Sequence, residues 1–395
     1  MHILTISRLT VSCVLALGMA QAAHAAQAAQ RLLATTTGDQ VPTRLSTQPA
    51  PKGVIERKPV SFAWALDPTA ALTPPAPLAA SSREYWQTVD AATLANGVDL
   101  PMTTAGALIR ISPAQGAAPL QADALSVSAG RRAVAIAQLA DAQSLQQAGM
   151  PVSNGTQVLR LGAGSGAGHA QLRAANAHGN YVVHVFEPTS DVTLDAQANR
   201  NAVLAGQAMR VGISASRAAQ ALPVQVQALL VAPDGSNTPV KVQRAADGSL
   251  EAVFTPELRN NRVAGLWELQ VFGMVGDTPR DVRTAFAVSQ PTAKFVGSAN
   301  QTADLHVSVP VQAGSAGRYE ARGTLYATAS DGQLRAVSEA HAAAWMQPGQ
   351  HTLQLPFSKA HLPSGYGAPY ELRQLELHDQ SRMAPLEIRA HAARF

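Results

Sequence analysis

The run GLWELQVFG at positions 265–273 puts Trp267, Leu269 and Val271 on one side of an extended chain and Leu266, Glu268 and Gln270 on the other. A period of two is the signature of a half-buried β-strand, and it is the wrong period for a helix. Runs of this kind recur along most of the chain, including ALSVSAG, TQVLRLGAG, NYVVHVFEP, DVTLDAQ and LEAVFTP. Gly, Pro, Asn and Asp stand between them, as strand-to-strand turns require. The pattern therefore restricts the chain to an all-β fold. About seven such strands in roughly 100 residues is the spacing of an immunoglobulin-like sandwich.

Three consecutive β-sandwich modules are expected, at 59–190, 191–293 and 294–395. The second reads as Ig-like in architecture, with Trp267 as core anchor, and the third has the same texture. In the first, Tyr181, Val183 and Val185 oppose Val182, His184 and Phe186, so this strand is expected to be central and apolar on both faces. AQSLQQAGM (142–150) is the best helical turn there, ended by Gly149. In the third module Gly323 marks a bulge, and Ser330-Asp331-Gly332 marks a hairpin turn.

The chain begins MHILTISRLTVSCVLALGMAQAAHA. Arg8, the short apolar run after it and Ala23-His24-Ala25 have the order of a secretory signal peptide, so residues 1–25 are expected to be removed. Residues 26–58 are polar and Pro/Thr-punctuated, and are read as a disordered leader. The single cysteine, Cys13, lies in the signal, which leaves the mature chain without disulfide or thiol chemistry. No later run is long and apolar enough for a membrane helix. The mature protein is expected to be soluble, in the periplasm or outside the cell, where ATP- or NAD-dependent chemistry has no supply. The 30 Lys and Arg against 26 Asp and Glu are spread along the chain. No basic stripe with interleaved aromatics exists, so nucleic acid is not an expected partner.

SREYWQTVDAATLANGVDLP, LRLGAGSGAGHAQL, LLVAPDGS, GRYEARGTLYAT and SGYGAPYELRQLELHDQSRMAPLE, with the strand runs above, resemble an uncharacterised family of exported bacterial proteins. It is a domain-of-unknown-function family with tandem Ig-like modules. The resemblance spans residues 59–395 and implies export and β-sandwich architecture. It implies no activity and carries over no catalytic residue.

Candidate sites are few. LGAGSGAGHA (161–170) has a glycine at every second position from Gly162 to Gly168, but Ala167 stands where a dinucleotide fingerprint needs its third glycine. Strands, not a helix, are expected after it, and Ala163 breaks the spacing of a hydrolase nucleophile elbow around Ser165. It reads as a mobile hairpin connection, with His169 beside any surface that it borders. His184 is expected beside the first core, paired to a backbone group.

Glu376 and His378 share a strand face and, with Asp379, form the densest polar cluster near an edge, a candidate calcium site. No other cofactor is expected. Glu187-Pro188 leaves one module for the next and reads as a junction contact rather than a catalytic acid. Tyr85, Trp86 and Tyr366 are the aromatics placed to stack on a ligand, with Trp345 beside them, although core packing is favoured for Trp86 and Trp345.

Taken together, these features describe an exported, non-enzymatic binding or structural protein that presents sandwich surfaces to a protein or a glycan. The alternative is a secreted hydrolase, or an accessory module of one, with its site in the first module or at a module junction.

Overall fold

The computed structural model describes residues 30–73, 76–258 and 263–395. The expected signal peptide, residues 1–25, and Cys13 within it lie outside the described residues. Six sheets pack in pairs around three separate hydrophobic cores, so the fold is all-β with three sandwiches in series. No helix among the described residues is long and apolar enough to cross a membrane.

In the first sandwich, one sheet runs in the order Glu84–Asp90, Asn180–Phe186, Leu108–Pro113, Gln157–Leu161, Ile136–Asp141. The other contains Val98–Met102, Gly168–Ala174, Leu125–Ala129 and Arg132–Ala133. Alternation decides what faces inward: Ile109, Ile111, Tyr181 and Val183 meet Leu100 and Leu172, all fully buried. The expected helical turn is the helix Ala142–Gln147, with Asp141 as N-cap accepting the Ser144 N–H at 2.9 Å. Asn180–Phe186 is central, as expected, but only one of its faces is fully buried. Val182, His184 and Phe186 are half-exposed.

The second sandwich pairs a sheet containing Val192–Ala198, Met209–Arg217 and Leu250–Phe254 with one containing Thr278–Ser289, Trp267–Val275 and Gln225–Val231. Trp267, Leu269 and Val271 all point into its core. In the third, Gly317–Thr328 sits between Leu334–Met346 and Gly367–Asp379. The register slips across Gly323, the expected bulge. A Cβ there would stand 2.9 Å from the Leu372 side chain, so the close approach excludes any other residue without a shift. The expected hairpin turn, closed by Gly332 with φ +79°, connects Gly317–Thr328 to Leu334–Met346.

The N-terminal segment differs from the expectation. Residues 30–58 are not a loose leader: they are strapped along the third sandwich, at the opposite end of the sequence. Gln30–Arg31 pairs with Ser298–Gln301, the Leu33 N–H donates to the Ala392 carbonyl at 2.8 Å, and Gln40 and Ile388 exchange both backbone hydrogen bonds. Arg318 Nη1 donates to the carbonyls of Glu56 and Lys58 at 2.9 and 2.8 Å. Val60–Ala65 then forms the edge opposite Ala384–Arg394 in the same sheet by pairing with Leu334–Met346. Ala79–Ser82 joins the second sandwich beside Val192–Ala198, and only at Glu84 does the chain enter the first. A segment with no periodicity of its own is held here by backbone hydrogen bonds to sheet edges, which composition does not reveal.

The glycine run is likewise not a hairpin. It carries the chain from one sheet of the first sandwich, at Gln157–Leu161, to the other, at Gly168–Ala174. Ser165 is buried and its Oγ accepts the Gly106 N–H at 3.2 Å, while Arg132 donates to the Gly164 carbonyl. The connection is anchored at its middle.

Candidate functional site

The strand Glu84–Asp90 forms one edge of its sheet, paired on one side only. An open edge leaves backbone donors without partners, and something must cover them. Here the second sandwich does so. Asp281 Oδ2, from Thr278–Ser289, accepts the Trp86 backbone N–H at 2.8 Å. The Trp86 ring turns away from its own core and meets Phe272 edge to face, with centroids 5.6 Å apart. The Arg283 guanidinium lies over the indole at 4.3 Å.

Beside this seam a polar knot locks the two sandwiches together. Arg280 and Glu187 pair with neither side chain exposed. Arg280 Nη2 also donates to Thr103 Oγ1 at 3.0 Å and to Ser190 Oγ at 3.1 Å, and its Nε reaches the Val192 carbonyl at 3.2 Å. Glu187 Oε1 accepts the backbone N–H groups of Thr103 and Thr104 at 2.6 and 2.9 Å. A buried ion pair survives when its remaining donors and acceptors are satisfied, and these are. Glu187 is thus the junction contact that its position before Pro188 suggests.

Between the covered edge and the outer face of the second sandwich lies an open cleft of about 670 Å³. Trp86, Phe272 and Met274 supply its apolar surface, and Gln87, Gln225 and Gln227 its carboxamides. Two carboxylates line it, Asp99 and Asp281. Burial pushes the Asp281 carboxyl up to about 6, against the hydrogen bond from Trp86 that favours its ionised form. Asp99 is exposed: its Oδ2 contacts His169 Nδ1 at 2.8 Å and its Oδ1 accepts from Gln171 Nε2 at 3.1 Å.

Of the residues singled out in the sequence, Trp86 lines the cleft directly and His169 reaches it through Asp99. Tyr85 borders the cleft too but does not present a stacking face. It is buried in the first core with its hydroxyl donating to the Pro101 carbonyl at 3.1 Å. Tyr366 belongs to the third sandwich, half-buried against that core. His184 pairs with the Glu84 carboxylate at 2.9 Å rather than with a backbone group. Trp345 is half-buried on an outer face and covered by Arg57 at 4.5 Å.

Glu376, His378 and Asp379 do not converge. Glu376 contacts His378 and Arg322, both at 2.8 Å. Asp379, the next residue after His378, turns to the other face and is buried against Thr292 at 2.7 Å and Arg382 at 2.6 Å. Strand alternation alone separates it from the other two. Among the described residues, no three His, Cys, Asp or Glu side chains are grouped to hold a metal ion.

Phe272, Asp281, Arg283, Gln225 and Gln227 were not singled out in the sequence. They come from a different sandwich than Trp86, and no local pattern brings them to it.

The model of the N-terminal domain of the DUF4785 family, a domain of unknown function, matches residues 51–187. The model of that family's C-terminal domain matches residues 292–394. The crystal structure of a DUF4785 family protein from Legionella pneumophila superposes with a TM-score of 0.64 at 20% identity, covering 90% of this chain and 99% of that one. A second solved chain, pT26-6p, aligns over 53% of this chain and 64% of its own at 8% identity with a TM-score of 0.20. No curated protein matches the chain. With two family models that together span more than half of its length and a solved member that shares its fold, the chain belongs to the DUF4785 family.

Proposed function

We propose that this protein is an exported, non-enzymatic binding protein that takes a neutral glycan in the cleft between its first two sandwiches. The observation that carries the reading is the composition of the cleft. Trp86 and Phe272 offer ring surface, and Gln87, Gln225 and Gln227 offer uncharged donors and acceptors around it. A sugar is apolar on its C–H faces and polar around its rim, so rings with carboxamides beside them match both. The seam beneath is fixed by the Arg280–Glu187 pair, so the cleft is held ready rather than assembled on binding. Export rests on the signal-peptide pattern of the first residues.

The test is binding of an oligosaccharide panel to the purified chain, with Trp86→Ala as the variant. A loss of at least tenfold in affinity supports the cleft, and unchanged affinity removes it.

A second reading has one observation behind it. Asp99 and Asp281 share the cleft and differ in environment, one exposed and one driven up to about 6, which is how paired carboxylates divide acid and base roles in glycosidases. Release of reducing ends from a polysaccharide, abolished by Asp281→Asn, would establish that alternative.

A further inference from the structure

The two edges of one sheet in the third sandwich are treated differently. At one edge, Ala384–Arg394 is closed by the strap: the Leu33 N–H donates to the Ala392 carbonyl, and Gln40 and Ile388 exchange both backbone hydrogen bonds. At the other, Val60–Ala65 pairs with Leu334–Met346 on its inner side, and among the described residues no strand lies on its outer side. The Leu66 N–H donates to the Val337 carbonyl at 2.9 Å, directly across the ladder. That bond sets the alternation of an antiparallel pair: Phe62 and Trp64 turn their backbone groups inward, and Ser61, Ala63 and Ala65 turn theirs outward.

Edge strands are ordinarily kept from pairing by charge or proline. VSFAWA carries neither, and its nearest prolines, Pro59 and Pro68, stand outside it. Val60, Phe62 and Trp64 are exposed on its outer face, and Ser61 and Ala65 are exposed and small. A row of outward amides and carbonyls selects an extended chain as its occupant, because a strand repeats donors and acceptors at the same spacing.

The strand is complementary to itself. In an antiparallel pair about a two-fold axis at Ala63, Ser61 stands opposite Ala65 of the second copy and Ala63 opposite Ala63, so every outward amide and carbonyl of these three residues finds a partner. Phe62 then stands opposite Trp64 of the second copy, and Trp64 opposite Phe62, at the positions where cross-strand side chains are closest. Both rings are already held, stacked on His341 at 5.1 and 5.2 Å, so little order is lost on pairing. Charge agrees with the antiparallel sense. Lys58 precedes the strand and Asp67 follows it, both exposed, and the two-fold sets each Lys58 beside the Asp67 of the other copy. Because the far edge of the sheet is closed by the strap, the pairing ends at two copies and cannot propagate.

We propose that Val60–Ala65 is a self-association strand: two copies of this chain pair through it, antiparallel and centred on Ala63, and join their third sandwiches through one continuous sheet. The strap thus closes one edge of that sheet and supplies the other as an interface. Six residues from each copy make a small interface, so the dimer belongs to the weak, reversible class, with a dissociation constant in the micromolar range.

The experiment is sedimentation velocity of the full chain from low to high micromolar concentration, with a reversible monomer–dimer equilibrium expected. Ala63→Pro removes an outward N–H and no bond to Leu334–Met346, a place where an edge strand accepts proline. It should weaken the dimer at least tenfold with an unchanged melting curve. If that variant unfolds, the double variant Phe62→Lys, Trp64→Lys sets like charges opposite each other across the two-fold and should weaken the dimer to the same extent. The register is read by cross-linking in a Cys13→Ser background, where the introduced thiol is the only one. Under mild oxidation Ala63→Cys should link to its own copy, since paired Cα atoms lie within disulfide reach, and Ala65→Cys should not. A chain that stays monomeric at every concentration leaves this edge to a foreign strand and overturns the proposal. So do a dimer indifferent to these substitutions, open-ended oligomers, and cross-linking of Ala65→Cys as fast as that of Ala63→Cys.

Discussion

Arg280 and Glu187, from different sandwiches, meet with both side chains fully out of solvent. The pair fixes the angle at which the second sandwich covers the edge strand of the first. Removing one member strands the other. Glu187→Ala leaves a buried guanidinium and the Thr103 and Thr104 amides without their acceptor, so a loss of about 3–5 kcal/mol is expected. Replacing both by apolar residues of similar size is expected to cost much less, since no charge is then left unpaired. Urea unfolding of the single and double variants separates the two outcomes.

Asp281 sets a pH dependence. Its carboxyl is pushed by burial from 3.8 to about 6 in the folded chain. The folded state therefore holds a proton that the unfolded state has released between these values. The stability tied to that proton is fully present below about pH 4 and is lost as pH rises through about 6. Asp281→Asn cannot ionise and keeps an oxygen for the Trp86 N–H. It is expected to be more stable than the parent at pH 7.5, by up to about 3 kcal/mol, and the gap is expected to close by pH 4. Unfolding free energies across pH 4–8 would refute this if the gap were flat.

The strap should be required by the third sandwich. A chain starting at residue 67 lacks Val60–Ala65 and exposes the edge of Leu334–Met346 to other molecules. Its melting temperature should fall by on the order of 5–10 °C, and light scattering should detect association. A synthetic peptide spanning residues 54–66 should reverse part of both effects when added. A truncated chain as stable and monodisperse as the parent would show the strap to be passive.

Ser165 tests whether the glycine run is anchored. Ser165→Ala leaves the half-buried Gly106 N–H without its acceptor. About 1 kcal/mol of stability should go with it. Faster amide exchange at Gly106 and through residues 162–168, with the rest of the first sandwich unchanged, is the accompanying signature.

Trp86 shows how far the sequence could be read. Its size favours core packing, and no local pattern ranks it against its neighbour Tyr85. Tyr85 faces its own core, whereas Trp86 faces Phe272 and Asp281 of another sandwich. Glu187 could be placed at a junction because Pro188 ends its strand, yet its partner lies in a strand 93 residues later. Glu376, His378 and Asp379 are close in sequence and look like one cluster, but alternation sends Asp379 to the face opposite Glu376 and His378.

By itself the sequence determined the all-β class, the strands and most of their inward faces. A period of two fixes these locally, residue by residue, and burial enforces it. The tertiary structure alone decided where residues 30–65 go, which edge Asp281 covers and which aromatic rings remain in solvent. Those are contacts between segments far apart in the chain. Their energy comes from backbone groups at sheet edges and from side chains on outer faces, neither of which leaves a periodic trace in the segments that make them.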